Sequence, residues 1–322
     1  MGISIIDSPN KKNVFINILA VVGKVSYPIF LWHQVLLAYY RCYVSTKLDF
    51  VFWIIFIPVL VTLVYVSYLL EKKIVIKKIR DFIPWGIGIA ILCGMCFIVW
   101  IRAGVIRDIP ELNVYSDSIE RRATPHYVDR IYDLDRPFDE TDDKYKILVI
   151  GNSFARDFSN ILLESNYASQ IDLKYSFSVP NIEDRRLAIA DYIFYYGYKE
   201  ELPNWFFEKV SLDTEVYAIG TKNFGTSMEQ VYVNRNNPNY YKMTACIVES
   251  VNEQNDVLKD QWGDSYIDIM SLLKTDYNHI RLFTDDNKFI SYDGHHLARA
   301  GARYLARTID LDSIFNSKLT SF

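Results

Sequence analysis

The sequence predicts an α/β domain with a parallel sheet, preceded by transmembrane α-helices. Two observations predict it. About the first hundred residues contain long uncharged apolar runs, whereas the rest has the mixed composition of a soluble domain. After Lys144, short apolar runs alternate with amphipathic segments, which is typical of strands separated by helices in a parallel sheet. With 322 residues, the chain is long enough for two domains.

Three apolar runs predict about three transmembrane helices in residues 1–102. Residues 51–70 form twenty positions without a charge, and residues 84–101 form eighteen, which are lengths that cross a bilayer. Residues 25–40 are a shorter third candidate. They include His33, interpreted as a helix-packing or interfacial residue. The polar start of the chain lacks the apolar core of a cleavable signal peptide.

Basic residues predict the orientation of these helices. The loop 71–80 carries five positive charges and one negative charge, so the positive-inside rule places it in the cytoplasm. Lys11, Lys12 and Lys24 place the N-terminus on the same side. Three spans then put the domain after Arg102 outside. The sequence therefore predicts a multi-pass protein of the cytoplasmic (inner) membrane, in contact with lipid, with an extracytoplasmic domain.

Composition argues against several functions. The net charge of −4, without a basic tract interleaved with aromatic residues, gives no reason to expect nucleic acid. Cys246 stands by itself in the soluble part, so no disulfide framework is expected there. Cys93 and Cys96 have metal-type spacing but lie in an apolar run, where packing is the expected role. We expect no metal and no cofactor.

Residues 103–143 are predicted to be a linker that packs on the following domain, which is expected to run from 144 to 322. Pro110, Pro125 and Pro137 mark turns in the linker. In the domain, the predicted strands are 145–150, 173–179, 216–220, 266–270 and 280–283, and the predicted helices are 155–164, 184–195, 239–256 and 297–307.

A serine stands between the first strand and the first helix of this domain. Gly151-Asn152-Ser153 directly follows the apolar run 147–150. At such a junction the hydroxyl is exposed, and the free N–H groups of the helix point at negative charge that develops nearby. Ser153 is therefore a candidate nucleophile, and a serine that only caps the helix is the alternative. Arg156 and Asp157 are expected to brace this segment without catalysing anything.

An Asp-x-x-His pair late in the chain supplies the partners that a serine nucleophile needs. Asp293 and His296 are three residues apart, so the carboxylate can hold one ring nitrogen while the other takes the serine proton. His295 is the rival base, interpreted as a surface histidine, and a plain Asp-Gly turn is the alternative for the segment by itself. Together, Ser153, Asp293 and His296 predict an acyl-transfer site.

Donors for an oxyanion are expected at the same edge of the sheet. The backbone N–H of Ser153 is one candidate. The side-chain amide of Asn223, which follows the predicted strand 216–220, is the other. A solvated turn is the alternative for this loop. His126 and His279 are interpreted as isolated structural residues.

The soluble part resembles the SGNH hydrolase superfamily. Gly151-Asn152-Ser153 is similar to its first block, usually Gly-Asp-Ser, and Asp293-Gly294-His295-His296 to its last, Asp-x-x-His. Gly220 to Asn223 resembles the third block with a different spacing, and Gly197 is the nearest match to the second-block glycine. The resemblance implies a three-layer α/β/α, flavodoxin-like domain in which Ser153, Asp293 and His296 are catalytic.

The membrane part resembles the last helices of the acyltransferase-3 family, in residues 23–33 and 67–72. Fusions of that membrane domain to an SGNH domain resemble bacterial O-acetyltransferases of lipopolysaccharide and peptidoglycan. The resemblance implies a cell-surface glycan acceptor and an acetyl donor delivered by a membrane acyltransferase partner. The family's membrane domain has many more spans, so we expect either a truncated product or a separately encoded membrane half.

Three functions remain open. The leading hypothesis is a membrane-anchored O-acyltransferase (O-acetyltransferase) module that modifies hydroxyls of a cell-envelope glycan. The second is a carbohydrate esterase, which forms the same acyl-enzyme but lets water attack it. The third is a non-catalytic remnant that only binds glycan or a membrane protein.

Overall fold

A computed structural model of the protein describes residues 14–45, 47–73, 83–101, 111, 127–225, 234–291 and 293–319. These residues divide into two compact units. The first contains residues 14–45, 47–73, 83–93 and 234–236, and the second contains the other described residues.

Three apolar helices precede the α/β domain: α1 Val14–Tyr43, α2 Phe50–Lys73 and α3 Ile83–Ile101. In α2, Phe50–Glu71 is long and apolar enough to cross a membrane, and α3 contains the shorter apolar stretch Gly86–Ile98. The indole N–H of Trp32 in α1 donates to Ser67 Oγ in α2 at 2.9 Å. The described residues thus contain one helix that is long and apolar enough to span, while three spans and their orientation remain predictions.

The second unit contains seven strands: β1 Tyr145–Ile150, β2 Ile171–Ser176, β3 Tyr192–Tyr195, β4 Glu215–Ile219, β5 Thr244–Cys246, β6 Tyr266–Ile267 and β7 His279–Arg281. Five of them form a parallel sheet in the order β2-β1-β3-β4-β6. Strands β5 and β7 pair antiparallel in a separate ribbon. The order of the parallel strands is the flavodoxin-like one, in which the topology switches between β1 and β3.

Helices cover both faces of the sheet: α4 Ser153–Glu164, α5 Arg185–Ile189, α6 Phe206–Lys209, α7 Glu249–Trp262, α8 Arg299–Thr308 and α9 Leu311–Leu319. On one face, β1 and β3 share a buried cluster with α5 and α7: Leu148, Ile150, Ile193, Tyr195, Leu187, Leu258 and Trp262. On the other face, the ring centroid of Phe158 in α4 lies 5.0 Å from that of Phe194. The ring centroid of Phe315 in α9 lies 5.1 Å from that of Tyr192. The predicted three-layer α/β class is confirmed.

Two of the predicted helices are wrong in part. Over 184–195, only Arg185–Ile189 is helical, and Tyr192–Tyr195 is strand β3. All four residues of β3 are buried in the middle of the sheet, where packing of aromatic and β-branched side chains overrides the helical start at Asp184. Over 239–256, a 3-10 turn at Tyr240–Lys242 and strand β5 come first, and α7 starts only at Glu249.

The described part of the predicted linker, residue 111 and residues 127–143, packs on the α/β domain. Arg130 Nε donates to Asn160 Oδ1 of α4 at 2.8 Å. Phe138 belongs to the buried cluster, and Ile131 is completely buried. Pro110, Pro125 and His126 lie outside the described residues.

Candidate active site

A tight turn joins β1 to α4 and presents Ser153. Gly151 has φ +134°, and a Cβ at this position would lie 3.1 Å from Tyr196 Cβ and carbonyl oxygen. Asn152 caps α4, because its side chain accepts the Phe154 N–H at 2.9 Å. Ser153 is therefore the first residue of the helix and not its cap, so the interpretation of Ser153 as a mere cap is wrong. Its hydroxyl is left to bond elsewhere.

The structure brings Ser153, His296 and Asp293 into one hydrogen-bonded series. His296 Nε2 lies 3.0 Å from Ser153 Oγ, and His296 Nδ1 lies 2.6 Å from Asp293 Oδ2. A carboxylate only accepts, so Nδ1 carries the proton and Nε2 accepts the serine O–H. This is the arrangement in which an imidazole can act as general base toward a hydroxyl.

Asp293 holds the backbone of its own turn as well as the imidazole. Its Oδ1 accepts the backbone N–H of His295 at 2.9 Å and of His296 at 2.8 Å. Burial by itself would raise the pKa of Asp293, but the backbone and side-chain bonds from His296 outweigh it and hold the pKa below its usual value. The carboxylate therefore stays charged and is suited to stabilise an imidazolium.

The turn between Asp293 and His296 also contacts the loop after β4. Phe224 donates its N–H to the carbonyl of Gly294 at 2.8 Å. Gly294 has φ +88°, and a Cβ there would lie 3.2 Å from the Gly225 carbonyl oxygen. The two loops can approach this closely because position 294 is glycine.

Asn223 lies in that loop, with 1% of its surface exposed. Its Oδ1 accepts the N–H groups of Gly225 at 3.0 Å and of Val248 at 3.2 Å. These bonds fix the amide with its oxygen toward the loop, which leaves the NH₂ group as the donor end. Residues 220–225 are buried, so the loop is not a solvated turn.

Lys222 was not predicted from the sequence, whereas Asp157 was expected to brace the segment that contains Ser153. Lys222 is 2% exposed, and its Nζ lies 3.0 Å from Asp157 Oδ2. Burial lowers the pKa of Lys222, although the Asp157 carboxylate opposes that shift. One signal was available: Asp157 is four residues after Ser153, so both lie on one side of α4. A lysine beside Asn223 gives no comparable sign of burial.

His279 is not the isolated residue that the sequence predicts. Its Nε2 lies 3.4 Å from Cys246 Sγ, and its Nδ1 lies 2.8 Å from Asp276 Oδ1. Cys246 and His279 are directly paired across the β5–β7 ribbon. Within the ranges that the structure describes, no group of three or more His, Cys, Asp or Glu side chains is arranged to hold a metal ion.

The chain has a distant likeness to a solved structure. This is the periplasmic domain of a lipopolysaccharide acetyltransferase from Salmonella serovar Paratyphi A, at 12% identity and a TM-score of 0.42, covering 63% of this chain and 99% of that one. No protein-family model and no curated protein matches the sequence. A likeness this distant carries no argument about activity. The activity must therefore be inferred from the geometry of the candidate site.

Proposed function

We propose that the protein is a membrane-anchored SGNH-type O-acyltransferase, in which Ser153 takes an acetyl group and passes it to a hydroxyl of a cell-envelope glycan. The observation that carries the proposal is the series Ser153–His296–Asp293, with distances of 3.0 and 2.6 Å, at the N-terminus of α4. The acetyl group and the glycan rest on the resemblance of the motifs to fused acyltransferases. The apolar segment Phe50–Glu71 supports the anchor.

The first half of the reaction acetylates the serine. Ser153 Oγ attacks the carbonyl carbon of the donor while His296 Nε2 takes the hydroxyl proton. The resulting imidazolium is stabilised by Asp293. When the tetrahedral intermediate collapses, the bond to the donor's leaving group breaks and His296 returns the proton to that group.

The second half transfers the acetyl group. A sugar hydroxyl gives its proton to His296 and attacks the acetyl-serine, and Ser153 recovers its proton as the sugar ester leaves. In both halves the N–H of Ser153 and the amide of Asn223 stabilise the oxyanion. The positive end of α4 adds to this stabilisation.

An esterase is the second candidate, and the exposure of the site favours it. The side chain of His296 is 32% exposed and that of Asp293 39%, so water reaches the base. Water that attacks the acetyl-serine gives acetate by the same chemistry. The two functions therefore differ only in whether a sugar hydroxyl or water attacks the acetyl-serine.

The experiment uses the full chain in detergent, as wild type and as Ser153→Ala. Each is mixed with p-nitrophenyl acetate, and digested protein is searched by mass spectrometry for acetyl on the peptide that contains Ser153. We expect p-nitrophenol release and the adduct in the wild type only. Identical background behaviour in both proteins would contradict the proposal and leave the non-catalytic remnant.

A second step separates transfer from hydrolysis. The acetylated enzyme is divided between buffer and buffer with a panel of methyl glycosides. Acetyl esters on a glycoside, formed only with Ser153 present, support the acyltransferase. Acetate as the sole product under every condition assigns the esterase instead.

A further inference from the structure

A buried ion pair lies directly beside the proposed triad. Asp157 Oδ2 and Lys222 Nζ are 3.0 Å apart, and their side chains are 3% and 2% exposed. Taking two opposite charges out of water is unfavourable unless good geometry and additional hydrogen bonds compensate. The other bonds made by these two residues therefore indicate what the pair does.

The same carboxylate oxygen also holds the segment that carries the base. Leu297 donates its backbone N–H to Asp157 Oδ2 at 2.9 Å, and this contact is buried. Leu297 directly follows His296, so the peptide that leaves His296 is bonded to α4 one helical turn beyond Ser153. Asp157 thus ties the histidine backbone to the helix that carries the nucleophile.

Lys222 also contacts an aromatic pair beside Ser153. Its Nζ lies 3.6 Å from the centroid of the Phe154 ring, and Phe154 is adjacent to Ser153. Phe154 stacks in turn on Tyr196, with ring centroids 4.8 Å apart. Asn223, the proposed oxyanion donor, directly follows Lys222 in sequence.

We propose that Asp157 is a positioning residue, which sets the distance between His296 Nε2 and Ser153 Oγ by accepting the Leu297 N–H, and that Lys222 balances the charge of its buried carboxylate. The inference rests on the proposed function of Ser153 and His296. A displacement of about 1 Å between reacting groups can cost about a hundredfold in rate. A contact one residue from the base is placed to prevent such a displacement.

The test must separate the bond to Leu297 from the charge of the pair. Removing Asp157 by itself would leave a buried, uncompensated lysine. Both test variants of the full chain therefore carry Lys222→Met. One adds Asp157→Asn, which keeps an acceptor for the Leu297 N–H, and the other adds Asp157→Leu, which has similar size and no acceptor.

We expect the two double variants to melt at similar temperatures but to differ in chemistry. Acetylation of Ser153 by p-nitrophenyl acetate should be about a hundredfold slower in kcat with Asp157→Leu than with Asp157→Asn, with little change in KM. A folded Asp157→Leu variant that acetylates as fast as its Asp157→Asn partner overturns the inference. A merely structural role would not give a loss of kcat that the conservative variant rescues.

A second readout does not depend on turnover. In full chains labelled with ¹⁵N-histidine, the imidazole signals of His296 should shift or broaden with Asp157→Leu, while those of His279 stay in place. Unchanged His296 signals overturn the inference even if the protein is inactive. An inactive wild type with displaced His296 signals instead refutes the proposed function and leaves the positioning intact.

If the Asp157→Leu variant does not fold, the Asp157→Glu variant with the native Lys222 tests the inference instead. This change keeps the ion pair and moves the carboxylate by one methylene. We expect acetylation at least about tenfold slower than in the wild type, because the Leu297 peptide must move with its acceptor. A wild-type rate overturns the inference.

Discussion

The Nε2 atom of His296 lies 3.0 Å from Ser153 Oγ, although 143 residues separate the two in sequence. Ser153 is the first residue of α4, and His296 stands three residues before α8. These two helices pack against each other. The contact between the hydroxyl and the imidazole is therefore a consequence of helix packing. His295, the neighbour of His296, provides a control for this contact.

Replacing His296 should greatly reduce the rate of Ser153 acetylation, whereas replacing His295 should leave it nearly unchanged. His296→Gln removes the proton acceptor, so Ser153 acetylation by p-nitrophenyl acetate should fall by at least about a thousandfold. His295→Gln changes an exposed side chain and should leave the rate within about twofold. Stopped-flow release of p-nitrophenol measures both rates. Equal rates in the two variants would refute His296 as the base.

The Asn223→Asp variant should slow acetylation with the loop intact. It keeps an oxygen to accept the N–H groups of Gly225 and Val248, but it replaces the NH₂ donor with a negative charge. We expect a loss of about 10²–10³ in kcat with KM little changed. Steady-state kinetics beside a thermal melt measure this. A folded variant with full kcat would exclude Asn223 from oxyanion stabilisation.

A methyl group at Gly151 should disturb the nucleophile more than it disturbs the fold. In Gly151→Ala, a positive φ and contacts of 3.1 to 3.2 Å with Tyr196 and Ala155 meet at one residue. We expect a loss of about 1–3 kcal/mol in the free energy of unfolding, together with slower acetylation. Gly263→Ala is the control, since Gly263 also has positive φ but open space. It should lower stability only, and a matching loss of rate in the control would count against the prediction.

Glu164 should contribute stability that acid removes. It accepts from Arg303 Nε at 2.7 Å and Arg299 Nε at 3.3 Å. Burial by itself would raise the pKa of Glu164, but the hydrogen bond from Arg303 and the surrounding arginines lower it below the usual 4.5. A lowered carboxyl pKa stabilises the fold above the unfolded value, and this contribution disappears as the pH falls through the folded value.

Glu164→Gln should therefore reduce the free energy of unfolding at pH 7 by up to about 1 kcal/mol, because the arginines are partly exposed. The difference from the wild type should shrink below about pH 4.5. Urea titrations at several pH values measure it, with the exposed Glu183→Gln as a control that shows no such trend. A difference that is constant with pH would contradict the assignment.

Cys246 reports the predicted orientation in the membrane. Its side chain is exposed in the α/β domain, so a membrane-impermeant maleimide should label it in intact spheroplasts if that domain is extracytoplasmic. Cys246→Ser should remove this labelling while labelling of permeabilised cells reports the remaining thiols. Labelling of Cys246 only after permeabilisation would reverse the predicted topology.

The sequence predicted those parts of the site that depend on local pattern. Strand β1 has the predicted bounds and contains the apolar run 147–150, and Ser153 follows from the strand-to-helix junction. Asp293 and His296 are close in sequence, so their contact needs only one turn. Strand β3 was missed because Tyr192–Tyr195 has no pattern of its own that distinguishes a buried strand from a helix.

The sequence could not predict contacts between segments that are far apart along the chain. Nothing near Lys222 in sequence shows that Asp157 will meet it, because the pairing is set by how α4, the β4 loop and the turn before α8 come together. A polar side chain is also more often solvated than buried. The ion pair is thus visible only in three dimensions, although each of its members adjoins a motif that the sequence does reveal.

The distance along the chain between Ser153 and His296 also determines when the two side chains can meet during synthesis. At about 5–20 residues per second, a ribosome needs roughly 7 to 29 s to add the 143 residues from Phe154 to His296. Throughout that interval the nascent polypeptide has a serine hydroxyl without a base. Under the proposed function, the domain therefore cannot carry out acyl transfer until the segment that contains His296 has been synthesised.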